Sequence, residues 1–295
     1  MTDTTRPLLR RLLDDAAMFP PGNAGPRDAV AARAMYEDSW FAPLLGDFVV
    51  RADRVPELLA ALRLAGDDGP REPLPVAVVV PGGLDDVAAA VRAGDDPALR
   101  LAGVEVPLGA AAPDTVLLLR TGMEVPDGVA LVVEPSPGLD PAATMPVLGE
   151  AGVHAKLRTG GVTSAGFPAT QVVARFVREA VRAGVPFKAT AGLHNALRHR
   201  DEDTGFEHHG FLNLLAGTAA ALLHDADEDD VHRLVTATAP EPLLDLLEPL
   251  DEAQQAAVRA AFTSFGTCST VEPVEDLAGL GLLHRPGVGL VGAGA

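Results

Sequence analysis

Two residues of this chain, Lys156 and Lys188, are its only lysines; the other 21 of its 23 basic residues are arginine. A composition rich in Ala, Arg, Gly, Val and Pro fits GC-rich coding, which replaces lysine by arginine wherever a generic cation suffices. A lysine that survives this bias stands where a guanidinium will not serve, because an amine can deprotonate and attack a carbonyl whereas a guanidinium stays charged. A second amine close by lowers the pKa of the first, and apolar flanks add desolvation in the same direction. Val153, Ala155 and Leu157 flank one lysine, and Phe187 and Ala189 the other. The chemistry this pair points to is a Schiff base with a small carbonyl compound. The plainer reading is that both lysines are structural or bind an anionic substrate.

Chemistry of this kind needs elements that set the two amines side by side. Val153–Leu157 is a short apolar run ending at Arg158-Thr159-Gly160-Gly161, and Pro186–Ala189 is another, ending at Thr190-Ala191-Gly192. Between them a helix is expected from near Pro168, with Val172, Val173, Phe176, Val177, Ala180 and Val181 as its apolar stripe and Gly184 at its C-terminal cap. Strand, helix and strand make a βαβ crossover, which places Lys156 and Lys188 at the C-terminal ends of adjacent parallel strands about 4.8 Å apart. Further strands are expected at Asp47–Val50, Leu74–Val80, Leu99–Pro107 and Val129–Val133, with others near Ala16–Phe19 and Phe262–Ser269; helices are expected at Pro56–Leu64, Leu84–Ala93 and Gly210–Leu223. Continuous apolar strands alternating with helices indicate a parallel sheet covered on both faces. The expected architecture is a (β/α)8 TIM-like barrel spanning residues 1–295 as one domain with a C-terminal tail from about 285; a doubly wound parallel sheet is the alternative. No G-x-G-x-x-G follows any strand, which disfavours a dinucleotide fold.

Lys156-Leu157-Arg158-Thr159-Gly160 resembles the K-x-x-T-G strand end of deoxyribose-phosphate aldolase and related class I, Schiff-base aldolases. Phe187-Lys188-Ala189-Thr190-Ala191-Gly192-Leu193 is similar to their following strand, K-x-x-G-G-[I/V], and the 32-residue separation of the lysines is similar too. Val129–Glu134 resembles the family's strand that ends in glutamate. The resemblance covers about residues 129–194. It implies a TIM barrel in which Lys156 is the nucleophile and Lys188 the amine that tunes it, with no cofactor. The family's catalytic aspartate has no clear equivalent, and Glu105 is the nearest substitute. Ala191 replaces the first glycine of the phosphate-cradling pair, so a phosphorylated substrate does not carry over. The chain also resembles a group of bacterial proteins of unknown function, through Asp15-Ala16-Ala17-Met18-Phe19-Pro20-Pro21, Phe187–His194, His209-Gly210-Phe211-Leu212-Asn213, and Gly266-Thr267-Cys268-Ser269 with Glu272-Pro273-Val274.

Glu105 and Glu134 end two strands and are candidate proton carriers at the carbinolamine stage, against a plain role as salt-bridge partners. Arg158 shares the side of Lys156 by the period-two rule and is a candidate clamp for a carboxylate or phosphate. Thr159, Gly160, Thr190 and Gly192 of the two motifs join Arg158, His194, Asn195 and Ser269 as candidate substrate-binding residues, and Asn213 is a further candidate orienter. A metal reading would draw on His194, His208 and His209 with Glu207 or Glu105, although no H-x-H or H-E-x-x-H pattern is present. Phe19-Pro20-Pro21-Gly22, with Asp14 or Asp15 beside it, reads as a pocket lining or a rigid turn. Cys268 reads as buried packing at the last strand end. The acidic Asp225–Asp230 cluster reads as a solvated helix start.

The 295 residues, 47% hydrophobic with mean hydropathy +0.18, can bury a large core. The net charge of −18 and pI of about 4.7 disfavour nucleic acid as a partner. One cysteine excludes an intrachain disulfide and a Cys-based zinc cluster. No apolar run approaches bilayer length, and the N-terminus lacks the apolar stretch of a secretion signal, so a cytoplasmic protein with no membrane partner is expected. The expected function is a class I, metal-independent aldolase or carbon–carbon lyase that acts on a small aldehyde or keto acid through Lys156, without cofactor, and is open to homo-oligomerisation. The alternatives are a metal-dependent TIM-barrel isomerase or hydrolase using His194, His208 and His209, and a non-catalytic barrel that binds a small acid.

Overall fold

The computed structural model describes residues 6–116 and 125–285, so the expected tail from about 285 lies almost wholly outside the described residues. Eight parallel strands close into a barrel: β1 (Leu13–Asp15), β2 (Leu45–Arg51), β3 (Leu74–Val79), β4 (Leu99–Pro107), β5 (Ala130–Glu134), β6 (His154–Arg158), β7 (Phe187–Thr190) and β10 (Phe262–Thr267). Each neighbours the next in this order, and β10 pairs with β1, so no edge is left open. β8 (His199–Arg200) and β9 (Glu207–His208) form a separate antiparallel hairpin. Helices α1 (Pro26–Glu37), α2 (Val55–Ala65), α3 (Val87–Ala93), α4 (Pro141–Glu150), α5 (Thr170–Arg182), α6 (Phe211–Leu223), α7 (Glu228–Thr236), α8 (Glu241–Leu247), α9 (Glu252–Ala261) and α10 (Val271–Gly279) fall between or after the strands. The fold is a (β/α)8 TIM barrel, and ring closure excludes the open doubly wound sheet.

The apolar core lies between strands and helices, not inside the barrel. Val104 and Val106 of β4, Ala155 and Leu157 of β6, and Phe187 and Ala189 of β7 all face this outer layer. Phe187 stacks on Phe262 with ring centroids 5.1 Å apart, and Phe211 of helix α6, buried through Ala221, stacks on Phe265 at 4.6 Å. Alternation along the pleat then turns Gly103 and Glu105, His154 and Lys156, Lys188 and Thr190 inward. The apolar flanks of the lysines therefore pack against helices and do not surround the amines, a correction to the expected source of their desolvation.

The first strand and the stripe of α5 differ from expectation. β1 is Leu13–Asp15 and not Ala16–Phe19; Ala16 and Phe19 belong to the turn that follows, where the Phe19 amide donates to the Ala16 carbonyl at 2.8 Å. On α5, Ala174 is buried while Val172 is 51% exposed, which shifts the apolar stripe by part of a turn. Gly184 caps α5 as expected: its φ is +65°, and the amide of Val185 reaches back to Ala180. The acidic cluster is a helix start, since the Asp227 side chain accepts from the Asp230 amide at the N-cap of α7.

Candidate active site

β6 and β7 lie in register with Lys156 opposite Lys188, and β10 sets Ser264 opposite Lys188 on its other side. The amines therefore meet inside the barrel. Both lysines stand one pleat below the strand ends, not on the rim; Arg158 and Thr190 occupy the rim layer above them.

Glu105, from β4, joins the two amines. Its Oε2 accepts from Lys156 Nζ at 2.9 Å and its Oε1 from Lys188 Nζ at 2.5 Å. Lys188 also donates to Asp14 Oδ2 at 2.5 Å, and that oxygen accepts from Ser264 Oγ at 2.6 Å. The other Asp14 oxygen accepts from the Asp47 amide at 2.9 Å. On the mouth side, Lys156 lies 3.0 Å from Glu134 Oε2, while Arg158 Nε donates to Glu134 Oε1 at 3.0 Å. Arg158, 53% exposed, thus shares the side of Lys156 as its spacing predicts and carries the network out to solvent.

Burial sets the charges of this chain of groups. Burial alone would push the Lys188 amine down, but Asp14 and Glu105 outweigh it and hold the amine above the ordinary lysine range. The expected pair of mutually repelling, easily deprotonated amines is therefore corrected for Lys188, which is a fixed cation. Burial alone would raise Glu105, yet Lys188 and then Lys156 bring it down to about 2. Glu134 is likewise held low, by Lys156 and Arg158 against its burial. Glu105 is a standing anion in the resting network, whereas Glu134 is the carboxylate nearer solvent.

Beneath the network, on the N-terminal side of the strands, lies a cavity of about 360 Å³ that touches Asp14, Glu105 and Lys188. Small residues open it: Gly46, Ala77, Gly103 and Ala130. Arg10, Arg11, His154 and Arg259 also line it. Arg11 pairs with Asp47 at 2.7 Å, and burial lowers Arg259 to about 10. His154 is pushed down by burial and by Lys188.

Several candidate binding residues are structural. The Thr159 hydroxyl donates to the carbonyls of Thr190 (3.1 Å) and Ala191 (2.6 Å), and Thr159 is fully buried. Gly160 lies against the next loop: a Cβ there would meet Gly192 Cα at 2.9 Å. Gly192 has φ +71° and is equally tight against Gly160. Thr190 reaches the rim layer, where its carbonyl accepts from the Thr159 amide. The Asn195 side chain is turned to Asp276 at 3.3 Å. Asn213 is buried and spends its amide on Arg198, Leu234 and Ala237 of the backbone. Ser269 forms a local turn with the Thr267 hydroxyl.

The three candidate metal-ligating histidines take different partners. His209 donates from Nε2 to the Pro168 carbonyl, 2.9 Å away, and is 1% exposed; His208 packs its ring on Phe167 at 4.6 Å and near His199 at 5.3 Å; His194 meets Glu272. Among the described residues, no three His, Cys, Asp or Glu side chains converge as a metal-holding set. The metal constellation drawn from their closeness in sequence is therefore not assembled.

Asp14 and Ser264 belong to the network and were not singled out as catalytic candidates. The signal for Asp14 was the apolar Leu12-Leu13 pair that precedes it, but placing the first strand at Ala16–Phe19 put Asp14 in a loop. Ser264 had only its place in an apolar β-branched and aromatic run, which says nothing about its partner.

Dihydropteroate synthase from Xanthomonas albilineans, solved with 4-aminobenzoic acid, is similar to this chain at 15% identity over 93% of both chains, with a TM-score of 0.41. A second structure of that enzyme, with indole-2-carboxylic acid and 6-chloroguanine, is similar at 14% identity over 93% of both, with a TM-score of 0.42. No family model and no curated protein matches the sequence. Among the described residues, no helix is long and apolar enough to cross a membrane.

Proposed function

We propose that this barrel carries out class I carbonyl chemistry, with Lys156 condensing with a small aldehyde or keto acid to form an imine. The observation that carries the reading is the asymmetry of the two amines on one carboxylate. Lys188 is clamped between Asp14 and Glu105, at 2.5 Å from each, with no share in the mouth. Lys156 shares Glu105 but turns its other side to Glu134, which leads to Arg158 and solvent.

Carbinolamine formation requires Lys156 to lose a proton, and Glu134 is the nearest carboxylate on the solvent side. The amine attacks the carbonyl carbon, the oxygen takes a proton, and loss of water leaves an iminium. The iminium restores a positive charge at the same nitrogen, so Glu105 and Glu134 are compensated again once water has left. The resting network is thus preorganised for the cationic intermediate and needs no rearrangement of charge to hold it. The iminium then serves as electron sink for a carbanion in aldol cleavage, dehydration or decarboxylation. Arg158, at the rim, suits a carboxylate on the donor. The likeness of Lys156–Gly160 and Phe187–Leu193 to class I aldolases supports the same assignment.

The test is reductive trapping. Protein mixed separately with acetaldehyde, pyruvate, dihydroxyacetone or glyoxylate is reduced with borohydride and read by intact and peptide mass spectrometry. The expected result is a donor-dependent adduct on Lys156, absent from Lys156→Arg and not transferred to Lys188. No adduct with any donor, or one on Lys188 alone, overturns the assignment.

A further inference from the structure

At the C-terminal ends of β7 and β10, the strands next in the ring after that of Arg158, three side chains outside the lysine network meet. His194 lies in the loop after β7, Cys268 in the loop after the neighbouring strand β10, and Glu272 in the first turn of α10. Cys268 Sγ is 3.6 Å from His194 Nε2, and His194 Nδ1 is 2.7 Å from Glu272 Oε2. Each histidine nitrogen thus has one partner, a thiol on one side and a carboxylate on the other. This is the order nucleophile, base, orienting acid, which activates a weak nucleophile. Cys268 sits two residues beyond Gly266, whose own register partner is Thr190 of the rim layer, so it follows the C-terminal end of its strand. Room for it is kept by Gly22 of the Phe19–Gly22 turn: a Cβ there would lie 3.1 Å from Cys268 Cβ. That close approach gives the turn a structural reason that its sequence alone did not.

We propose that Cys268, His194 and Glu272 form a second reactive centre at the mouth, where the thiolate adds reversibly to the carbonyl carbon of a small aldehyde. His194 takes the thiol proton, sulfur forms a bond to carbon, the carbonyl π pair moves to oxygen, and the imidazolium returns its proton there. The product is a neutral hemithioacetal, with no leaving group and no change of oxidation state. The Cys268–His194–Glu272 arrangement stands on geometry of its own, while the choice of an aldehyde as electrophile rests on the imine reading of the barrel. The Cys268 contact and Glu272 raise the His194 pKa against its burial. Beyond these partners, His208 on β9 is the other titratable ring that senses His194, and a charge on either ring disfavours the other.

The experiment is alkylation of the intact chain by iodoacetamide across pH 5–9, with Cys268 labelling quantified by peptide mass spectrometry. At pH 6 the wild-type rate is expected to exceed that of His194→Asn at least tenfold, with Glu272→Gln several-fold below wild type; Glu272 is 55% exposed on a surface turn, so its replacement spares the fold. Glyoxylate, at concentrations that leave N-acetylcysteine unprotected, is expected to slow labelling equally in wild type and in Lys156→Arg. Equal wild-type and variant rates that follow an ordinary thiol near pH 8.5 overturn the triad. Rapid labelling without glyoxylate protection overturns the adduct. Protection that vanishes in Lys156→Arg also overturns it, and places the aldehyde on the lysine instead. Conversely, protection in both proteins with no borohydride adduct on Lys156 sustains this centre while the imine reading falls.

Discussion

At the scale of single residues, the barrel interior depends on charges that are affordable only together. Burial alone would raise Glu105, and Lys188 and Lys156 hold it at about 2 instead. A carboxyl whose folded pKa lies below its unfolded value near 4.5 contributes stability that is complete above that value and is lost as pH falls through about 2. Lys188→Met removes the cation from between Asp14 and Glu105 and leaves two buried carboxylates without it. Removing one partner of a buried ion pair costs about 3–5 kcal/mol. The expected outcome is a fall of that order in urea-unfolding free energy at pH 7, and a deficit against wild type that shrinks as pH falls, because Glu105 without its main counter-charge takes up a proton at a higher pH. A loss below 1 kcal/mol would mean that the network contributes no more than surface pairs do. Lys188→Arg tests the fit of the clamp, since a guanidinium is too broad for two carboxylates placed 2.5 Å from a single nitrogen.

At the scale of elements, β2 to β7 and β10 are legible as short, largely apolar runs that alternate with helical patterns, the mark of strands covered on both sides. The same apolar character hid which face turned inward. Ala155 and Leu157 look like company for Lys156, yet period two sends them to the helices and sends His154 and Arg158 inward. β1 was misplaced because it is three residues long and two of them, Asp14 and Asp15, are acids that a sequence reading assigns to turns. The lysine pair was legible through rarity and spacing. Its carboxylate partners are legible only in part, because Glu134 ends a strand and Glu105 stands one pleat before the end of another, whereas Asp14 needs ring closure to reach Lys188 from 174 residues away. The histidines cluster in sequence and then diverge, since His194, His208 and His209 sit respectively on a loop, a hairpin and a helix approach. The motif glycine Gly160 joins the β6 and β7 loops. Gly160→Ala would press a methyl against the Gly192 and Ala191 backbone, which cannot swing aside as a side chain can. We expect it to destabilise the protein by about 1–3 kcal/mol, and to lower trapping at Lys156 through displacement of β6 without touching a substrate. Wild-type stability together with wild-type trapping would return Gly160 to the role of a substrate-contact position.

At the scale of the whole molecule, stability is shaped by a second buried acid that behaves oppositely to Glu105. Asp15, on the outward side of β1 and 2% exposed, is raised to about 6, chiefly by burial and despite the Ala17 amide and Arg33. Among the described residues, its Oδ2 and Arg33 Nη1 are both buried without a hydrogen-bond partner. An acid with a raised folded pKa holds its proton more tightly folded than unfolded. Its contribution is therefore complete below about 3.8 and is lost as pH rises through about 6. That interval corresponds to roughly 3 kcal/mol. The net charge of −18 acts in the same direction, since self-repulsion grows as carboxylates ionise. Asp15→Asn separates the two, because it leaves the surface charges in place and keeps an acceptor for the Ala17 amide. Urea unfolding of both proteins from pH 4 to pH 7 is the measurement. The stability difference between variant and wild type is expected to shift in favour of the variant by up to about 3 kcal/mol as pH rises through 6. Parallel curves over that range would show that Asp15 ionises in the folded protein as it does in the unfolded chain, and that the pH response of the barrel comes from its surface charge alone.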